Sequence, residues 1–171
     1  MVETLKKFPE ENQDRIVPDA ANIDTNGLLI KASPLRYLYR DWDTRRAGRP
    51  FPARADFDPL ELRYILGCLS LVDVLRDPLR FIFRLHASQN AARLGADLTG
   101  KELAAMPAWT DPATVRTQYE HVVASCTPQV CRNVGTHADG SKWEYEVLVL
   151  PLSTGGDAVD MLMAGMSWTA L

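Results

Sequence analysis

The first sustained pattern along the chain is helical. Leu35, Leu38, Tyr39 and Trp42 recur at i, i+3, i+4 and i+7, an apolar stripe over about 34–47, with Arg36, Arg40, Arg45 and Arg46 largely off it. Ser33 is placed to cap this helix, Pro34 suits a first turn in which a missing N–H costs nothing, and Gly48 followed by Pro50 ends it. A second helix is expected from Asp58-Pro59. Asp58 and Glu61 stand at capping-box spacing, Leu62, Ile65 and Leu66 form its apolar side, and Gly67 stops it. Residues 1–32, by contrast, hold no period. They read as a mobile arm, with Leu28, Leu29 and Ile30 as a docking point.

From 68 onward the pattern becomes that of strands. LSLVDVL (69–75) and RFIFRLH (80–86) are β-prone runs joined by Arg76-Asp77-Pro78, which reads as a hairpin. Three short helical segments follow: Ser88 capping a helix that ends at Gly95, Thr99 and Glu102 opening one turn through Met106, and a longer helix from Asp111-Pro112. In that last helix Val115, Tyr119, Val122, Val123 and Cys126 keep helical spacing. Strands then run over about 129–136, 142–151 and 158–169, with turns short enough to imply an antiparallel meander. Along 142–151 the odd positions (Trp143, Tyr145, Val147, Val149) and the even ones (Leu148, Leu150) are both apolar. Both faces of the sheet should therefore be covered. The helices between the second and third strands can cover one face, and the stripe on 35–42, from this chain or a partner's, the other.

Composition narrows the class without selecting a function. The chain has 171 residues, 46% hydrophobic and 24% charged, enough for one core. Its 19 basic and 22 acidic residues leave a net charge of −3, too balanced to make nucleic acid or an anionic membrane the main partner. No apolar run approaches the roughly 20 residues of a membrane span. The first fifteen residues lack the apolar region of a secretory signal. Three cysteines without a CxxC fit a reducing cytosol better than a disulfide scaffold or a zinc ribbon, so a cytoplasmic location is expected.

The order helix, helix, two strands, three short helices, three strands is the PAS-domain plan. The local wording agrees: ARADFDPLELRYILGCLSLVDVL, FIFRLHASQNAARLGADLTGKEL and EYEVLVLPLSTGG resemble a PAS-like family best known from alphaproteobacteria, over roughly 33–169. The resemblance implies an α+β fold: a five-stranded antiparallel sheet with intervening short helices on one face and the N-terminal amphipathic helix on the other. It divides the chain into the arm (1–32), N-terminal helices flanking the core (33–67) and a PAS-like core (68–171). It also implies sensing or signalling, through a small ligand, a protein partner or dimerisation. With most of the chain assigned to the domain, no effector region is expected, and the protein would act as a stand-alone sensory or regulatory module, a homodimer that associates with a protein partner. The 34–47 helix, with Leu35, Leu38, Tyr39 and Trp42, is the expected dimer or sheet-cover element.

Few residues offer chemistry. Glu144 and Glu146 share a strand face with Leu148 and Leu150, and Arg84 shares one with Ile82 and His86. A guanidinium and a carboxylate in an apolar cleft bind a polar ligand group or each other. Arg84, Glu146, Tyr119, His121 and Leu148 are thus the candidate pocket residues, with a structural ion pair as the plainer role for Glu146. His86, His121 and His137 have no metal-type spacing, so no metal site is expected. His121 lies on the helix where some PAS proteins place a haem ligand, but toward the edge of its apolar stripe, and haem is not expected. Flavin-binding PAS photoreceptors carry an Asn-Cys-Arg-Phe-Leu-Gln-type motif. Here 87–107 contains no cysteine, so no flavin–cysteine adduct is expected, and the cofactor, if there is one, is unknown from sequence. Cys68, Cys126 and Cys131 read as buried thiols. Ser88, Ser167 and Thr99 lack a nucleophile-elbow context, the glycines form no phosphate loop, and catalysis is not expected. Two alternatives stand beside the sensor. One is a protein-interaction adaptor whose cleft is filled by Phe83, Leu85, Tyr119 and Met163. The other is a small enzyme, for which Arg84, His86 and Glu146 are the only candidates.

Overall fold

The computed structural model describes residues 25–136 and 139–171. His137 and the first 24 residues of the expected arm lie outside them. Five strands form one antiparallel sheet: β1 (Leu69–Leu75), β2 (Arg80–His86), β3 (Gln129–Thr136), β4 (Lys142–Leu152) and β5 (Met161–Ala170), in the order β2-β1-β5-β4-β3. Among the described residues the α-helices are α1 (Ser33–Arg46), α2 (Ser88–Leu94) and α3 (Pro112–Ser125). The α+β architecture is the expected one.

The stripe on α1 is spent on the chain's own sheet. Leu35, Leu38, Tyr39 and Trp42 are all buried, and the Trp42 indole N–H donates to the Pro151 carbonyl at 2.9 Å. The close approach depends on Gly165, opposite Leu148 in the sheet: a Cβ there would sit 2.5 Å from Leu38 Cδ2 and 3.0 Å from Leu35 Cδ2. Ala47, in a left-handed conformation (φ 49°), ends the helix ahead of Gly48. Ser33 is not its cap. Ala32 takes the extended cap position, Ser33 is already helical, and no side chain caps the first turn.

Further local expectations differ from the structure. Residues 59–65 form successive turns instead of a helix. Their backbone bonds close at i→i+3 (Glu61 to Asp58, Leu62 to Pro59, Ile65 to Leu62) and lead into a 3₁₀ turn at Leu66–Cys68. The segment is too short to repay helix nucleation. Asp58 instead accepts from the Leu60 N–H, and Glu61 reaches across to Arg45. Leu62 and Ile65 are still buried, so the apolar positions pack as expected without the helix. Likewise Ser88 does not cap α2, where Ala87 holds that place, and Thr99 accepts from the His86 N–H while Glu102 pairs with Arg80. Asp111 does cap α3, accepting from the Thr114 N–H at 3.3 Å.

One irregularity decides what faces the site. Leu71 opposes Leu85 but Val72 opposes Phe83, so Arg84 is an extra residue on β2. A bulge of this kind shifts side-chain parity beyond it. Phe83 and His86 consequently lie on the same face, with ring centroids 5.4 Å apart, whereas strict alternation would separate them.

Candidate functional site

Between the sheet and the α2–α3 side lies a cleft of about 270 Å³. Its walls are mainly apolar and aromatic: Phe83, Tyr119, Tyr145 and Trp109, with Leu94 and Met106. Phe81 and Tyr119 pack edge to face at 5.4 Å, and Trp109 meets Tyr145 at 6.3 Å near the opening. Gly135 makes room for that pair, since a Cβ there would lie 2.8 Å from the Tyr145 ring. At about 270 Å³ the cleft falls just below the usual range for ligand pockets, about 300–1,000 Å³.

A polar group sits on this apolar ground. Ser70 from β1, His86 from the end of β2 and Asn90 from α2 are all buried and all line the cleft. Ser70 Oγ lies 3.2 Å from His86 Nδ1, and Asn90 Nδ2 donates to Ser70 Oγ at 3.4 Å. Two atoms of the group have no hydrogen-bond partner among the described residues: His86 Nε2 and Asn90 Oδ1. With the Ser70 hydroxyl donating to Nδ1, the imidazole proton rests on Nε2, which then offers a donor beside the acceptor Oδ1. Leaving a buried polar atom unpaired costs about 1–3 kcal/mol. Two such atoms in one cleft present a donor and an acceptor without a partner among the described residues.

Burial holds the His86 imidazole below its ordinary value of 6.5, with the Asp97 charge pulling weakly the other way. The sign follows: the unfolded chain binds a proton that the folded ring resists. His86 thus contributes stability in full above pH 6.5, and that contribution falls as pH drops below it. Urea midpoints measured from about pH 7.5 down to pH 5 should decline in the wild type and decline less in His86→Gln. Parallel declines would refute the assignment. Burial also pushes the Cys68 and Cys131 thiols up to about 11, so neither is a ready nucleophile.

Of the residues expected to line the pocket, the structure brings one into the cleft. Tyr119 is there. Leu148 is buried on the opposite face, beside Gly165 and under α1. Glu146 is on that face too. It accepts from the Lys31 and Ala32 backbone N–H groups (3.0 and 2.8 Å) and pairs with Arg132 at 2.7 Å, the structural ion pair weighed above. Arg84, at the bulge, is exposed and pairs with Asp73 at 2.9 Å. His121 is exposed on α3. The acid–base trio imagined for an enzyme is therefore split, His86 in the cleft and Arg84 and Glu146 behind the sheet. Leu85 and Met163 also turn away from the cleft, so only Phe83 and Tyr119 of the supposed filling residues line it. Among the described residues no His, Cys, Asp or Glu cluster is fit to hold a metal ion, and no helix is long and apolar enough to cross a membrane.

Ser70, His86, Asn90 and Arg93 are the residues that the sequence reading missed as a group. Asn90, Arg93 and Leu94 had a usable signal: i, i+3 and i+4 on α2 put them on one helix face. His86 had none, because its orientation depends on the bulge.

The model of a family described as PAS domain matches residues 30–166. No curated protein matches the chain. Among solved structures, the chain is similar to the Rhodobacter sphaeroides LOV protein (15% identity, TM-score 0.45). That match covers 60% of this chain and 58% of the other, so the matched part is less than two thirds of that protein's length. It is similar also to the PAS domain of an HTR-like protein from Haloarcula marismortui (22% identity, TM-score 0.39, covering 58% of this chain and 81% of the other). A third is the PAS domain of a protein from Colwellia psychrerythraea (12% identity, TM-score 0.43, covering 64% and 96%).

Proposed function

The chain belongs to the PAS domain family, and from that premise we propose that it is a sensory or regulatory module whose cleft takes a small ligand. The observation that carries the proposal is the pair of buried, unpaired atoms, His86 Nε2 and Asn90 Oδ1, in a mainly apolar cleft. A cleft kept only for packing gains nothing from them, because apolar residues of the same shape would cost less. Ligand-binding positions commonly trade stability for function in this way.

The sheet supplies a short route from such a ligand to the opposite face. Asn133 and Tyr145 are register partners and line the cleft. The next pair along, Arg132 and Glu146, faces the other side. There the Glu146 carboxylate holds the backbone of Lys31 and Ala32, and Arg132 donates to the Leu29 carbonyl. A ligand that moves the first pair therefore acts on the chain entering α1. Homodimerisation and partner association belong to this proposal as the output. They are to be tested on the whole protein, because deleting residues 1–48 would uncover the sheet under α1.

Native mass spectrometry of the purified protein, compared with its denatured mass, is the direct test. The expected result is a discrete small-molecule adduct that is lost in Asn90→Leu. After both proteins are stripped by refolding, Asn90→Leu should be as stable as the wild type or more stable by up to about 1 kcal/mol, since it removes an unpaired buried acceptor. An adduct retained in full by Asn90→Leu would overturn the role given to the cleft. No adduct, together with a stability loss above about 2 kcal/mol in the variant, would favour the adaptor reading, with the polar group serving structure alone.

A further inference from the structure

We propose that the ligand is a small aromatic monocarboxylate, its ring in the cleft and its carboxylate on Arg93. The inference rests on reading the cleft as a ligand site and adds the charge and class of the occupant.

Arg93 lines the cleft from α2, one turn beyond Asn90. Its guanidinium is clasped between indoles, with Cζ 4.0 Å from the Trp143 ring centre and 4.8 Å from that of Trp168. Arginines elsewhere on β2 and α3 do not line the cleft and are already paired: Arg84 with Asp73, Arg80 with Glu102 and Arg116 with Glu120. Arg93 makes no ion pair among the described residues. Partial burial already weighs against its charge. The two rings hold the guanidinium by cation–π contact and take up none of its N–H groups, which can pair with a carboxylate through two parallel hydrogen bonds.

The count of charges selects a monoanion. Arg93 is the one cationic side chain lining the cleft among the described residues, and Asp111 lines it too, though that carboxylate is engaged with Thr114. A phosphate ester, with nearly two negative charges, would meet a single cation and a nearby carboxylate. One carboxylate balances Arg93. The remainder of the ligand faces Phe83, Trp109, Tyr119 and Tyr145, whose rings favour an aromatic body through offset and edge-to-face contacts. A cleft of about 270 Å³ sets the scale at a single ring or a fused pair. His86 Nε2 and Asn90 Oδ1 would then read a hydroxyl on that body, which accepts from the first and donates to the second.

Phenylacetate and phenylacetamide are matched probes of nearly equal shape that differ in charge. Thermal unfolding and titration calorimetry of the full chain, with each probe at millimolar concentration, should show phenylacetate stabilising the protein and binding about tenfold or more tightly than the amide. Arg93→Gln should abolish that preference while leaving the weak binding of the amide unchanged. Arg93→Lys, which keeps the charge but not the fork, should retain only part of it. Equal binding of acid and amide, or a preference that survives Arg93→Gln, overturns the carboxylate assignment and leaves the cleft a site for a neutral ligand. Failure of both probes to bind or stabilise overturns the assignment and counts against the cleft as a ligand site, an outcome the adduct measurement checks independently.

Discussion

Trp42→Ala should cost about 4 kcal/mol of stability, within the range of about 3–5 for truncating a buried aromatic. Trp42 is 3% exposed and ties α1 to the sheet twice, by its ring and by the indole N–H on Pro151. Alanine leaves a cavity between helix and sheet and a buried carbonyl without its donor. Trp42→Phe restores most of the volume but not the hydrogen bond, so it should cost about 1–2 kcal/mol. Against a whole-domain stability of about 5–15 kcal/mol, the alanine variant would lose a large fraction of its folded margin. Urea unfolding of the three proteins would read the ranking directly. Trp42→Ala losing under about 1 kcal/mol, or Trp42→Phe losing as much as alanine, would mean that α1 is only loosely held and that the outer face is not a true core.

That α1 covers its own sheet bears on how much of the molecule was legible in advance. The stripe Leu35, Leu38, Tyr39, Trp42 was plain in the sequence because helical spacing is local, and the boundaries of β1, β2 and β3 were plain because turn residues punctuate β-prone runs. The parity of β4 was not. When Tyr145 and Val147 alternate with Leu148 and Leu150, hydrophobicity does not say which set faces the cleft, and the expectation that Glu146 and Leu148 do so takes the wrong side. Gly165 held the answer: a glycine inside a strand marks a close backbone approach, here that of Leu38, and its partner Leu148 must share that face. His86 was hidden for another reason. RFIFRLH alternates cleanly as written, and only pairing with β1 reveals that Arg84 is extra and that the parity changes there. The 59–65 segment shows the remaining limit, since its apolar positions found their burial through i→i+3 turns that propensity does not separate from a short helix.

Glu146→Ala should be destabilising by about 3 kcal/mol, the lower part of the range for breaking a buried ion pair, because Arg132 retains some access to water. The carboxylate accepts four hydrogen bonds from three partners. One oxygen accepts from Lys31 and Ala32, and the other accepts from Lys31 and from Arg132. Alanine strands both amides and the guanidinium at once. Glu146→Gln keeps one acceptor oxygen but brings an N–H₂ toward existing donors, and it should cost about 1–2 kcal/mol. The effect must also be local in a defined way. Residues 29–32 are held by Glu146, by Arg132 on the Leu29 carbonyl, and by Arg36 donating to the Ile30 carbonyl at 2.6 Å. Amide exchange at Lys31 and Ala32 should therefore accelerate far more than exchange in the central strands β1 and β5. Were the cost below about 1 kcal/mol and the Lys31 and Ala32 amides still protected, the latch would be too weak to carry a change from the cleft face to α1, and the proposed route through the Arg132–Glu146 pair would have to be abandoned. Were exchange instead to rise at both amides in the wild type when a cleft ligand is added, the same atoms would report the coupling itself, because Glu146, which holds them, is flanked on its strand by Tyr145 and Val147 of the cleft.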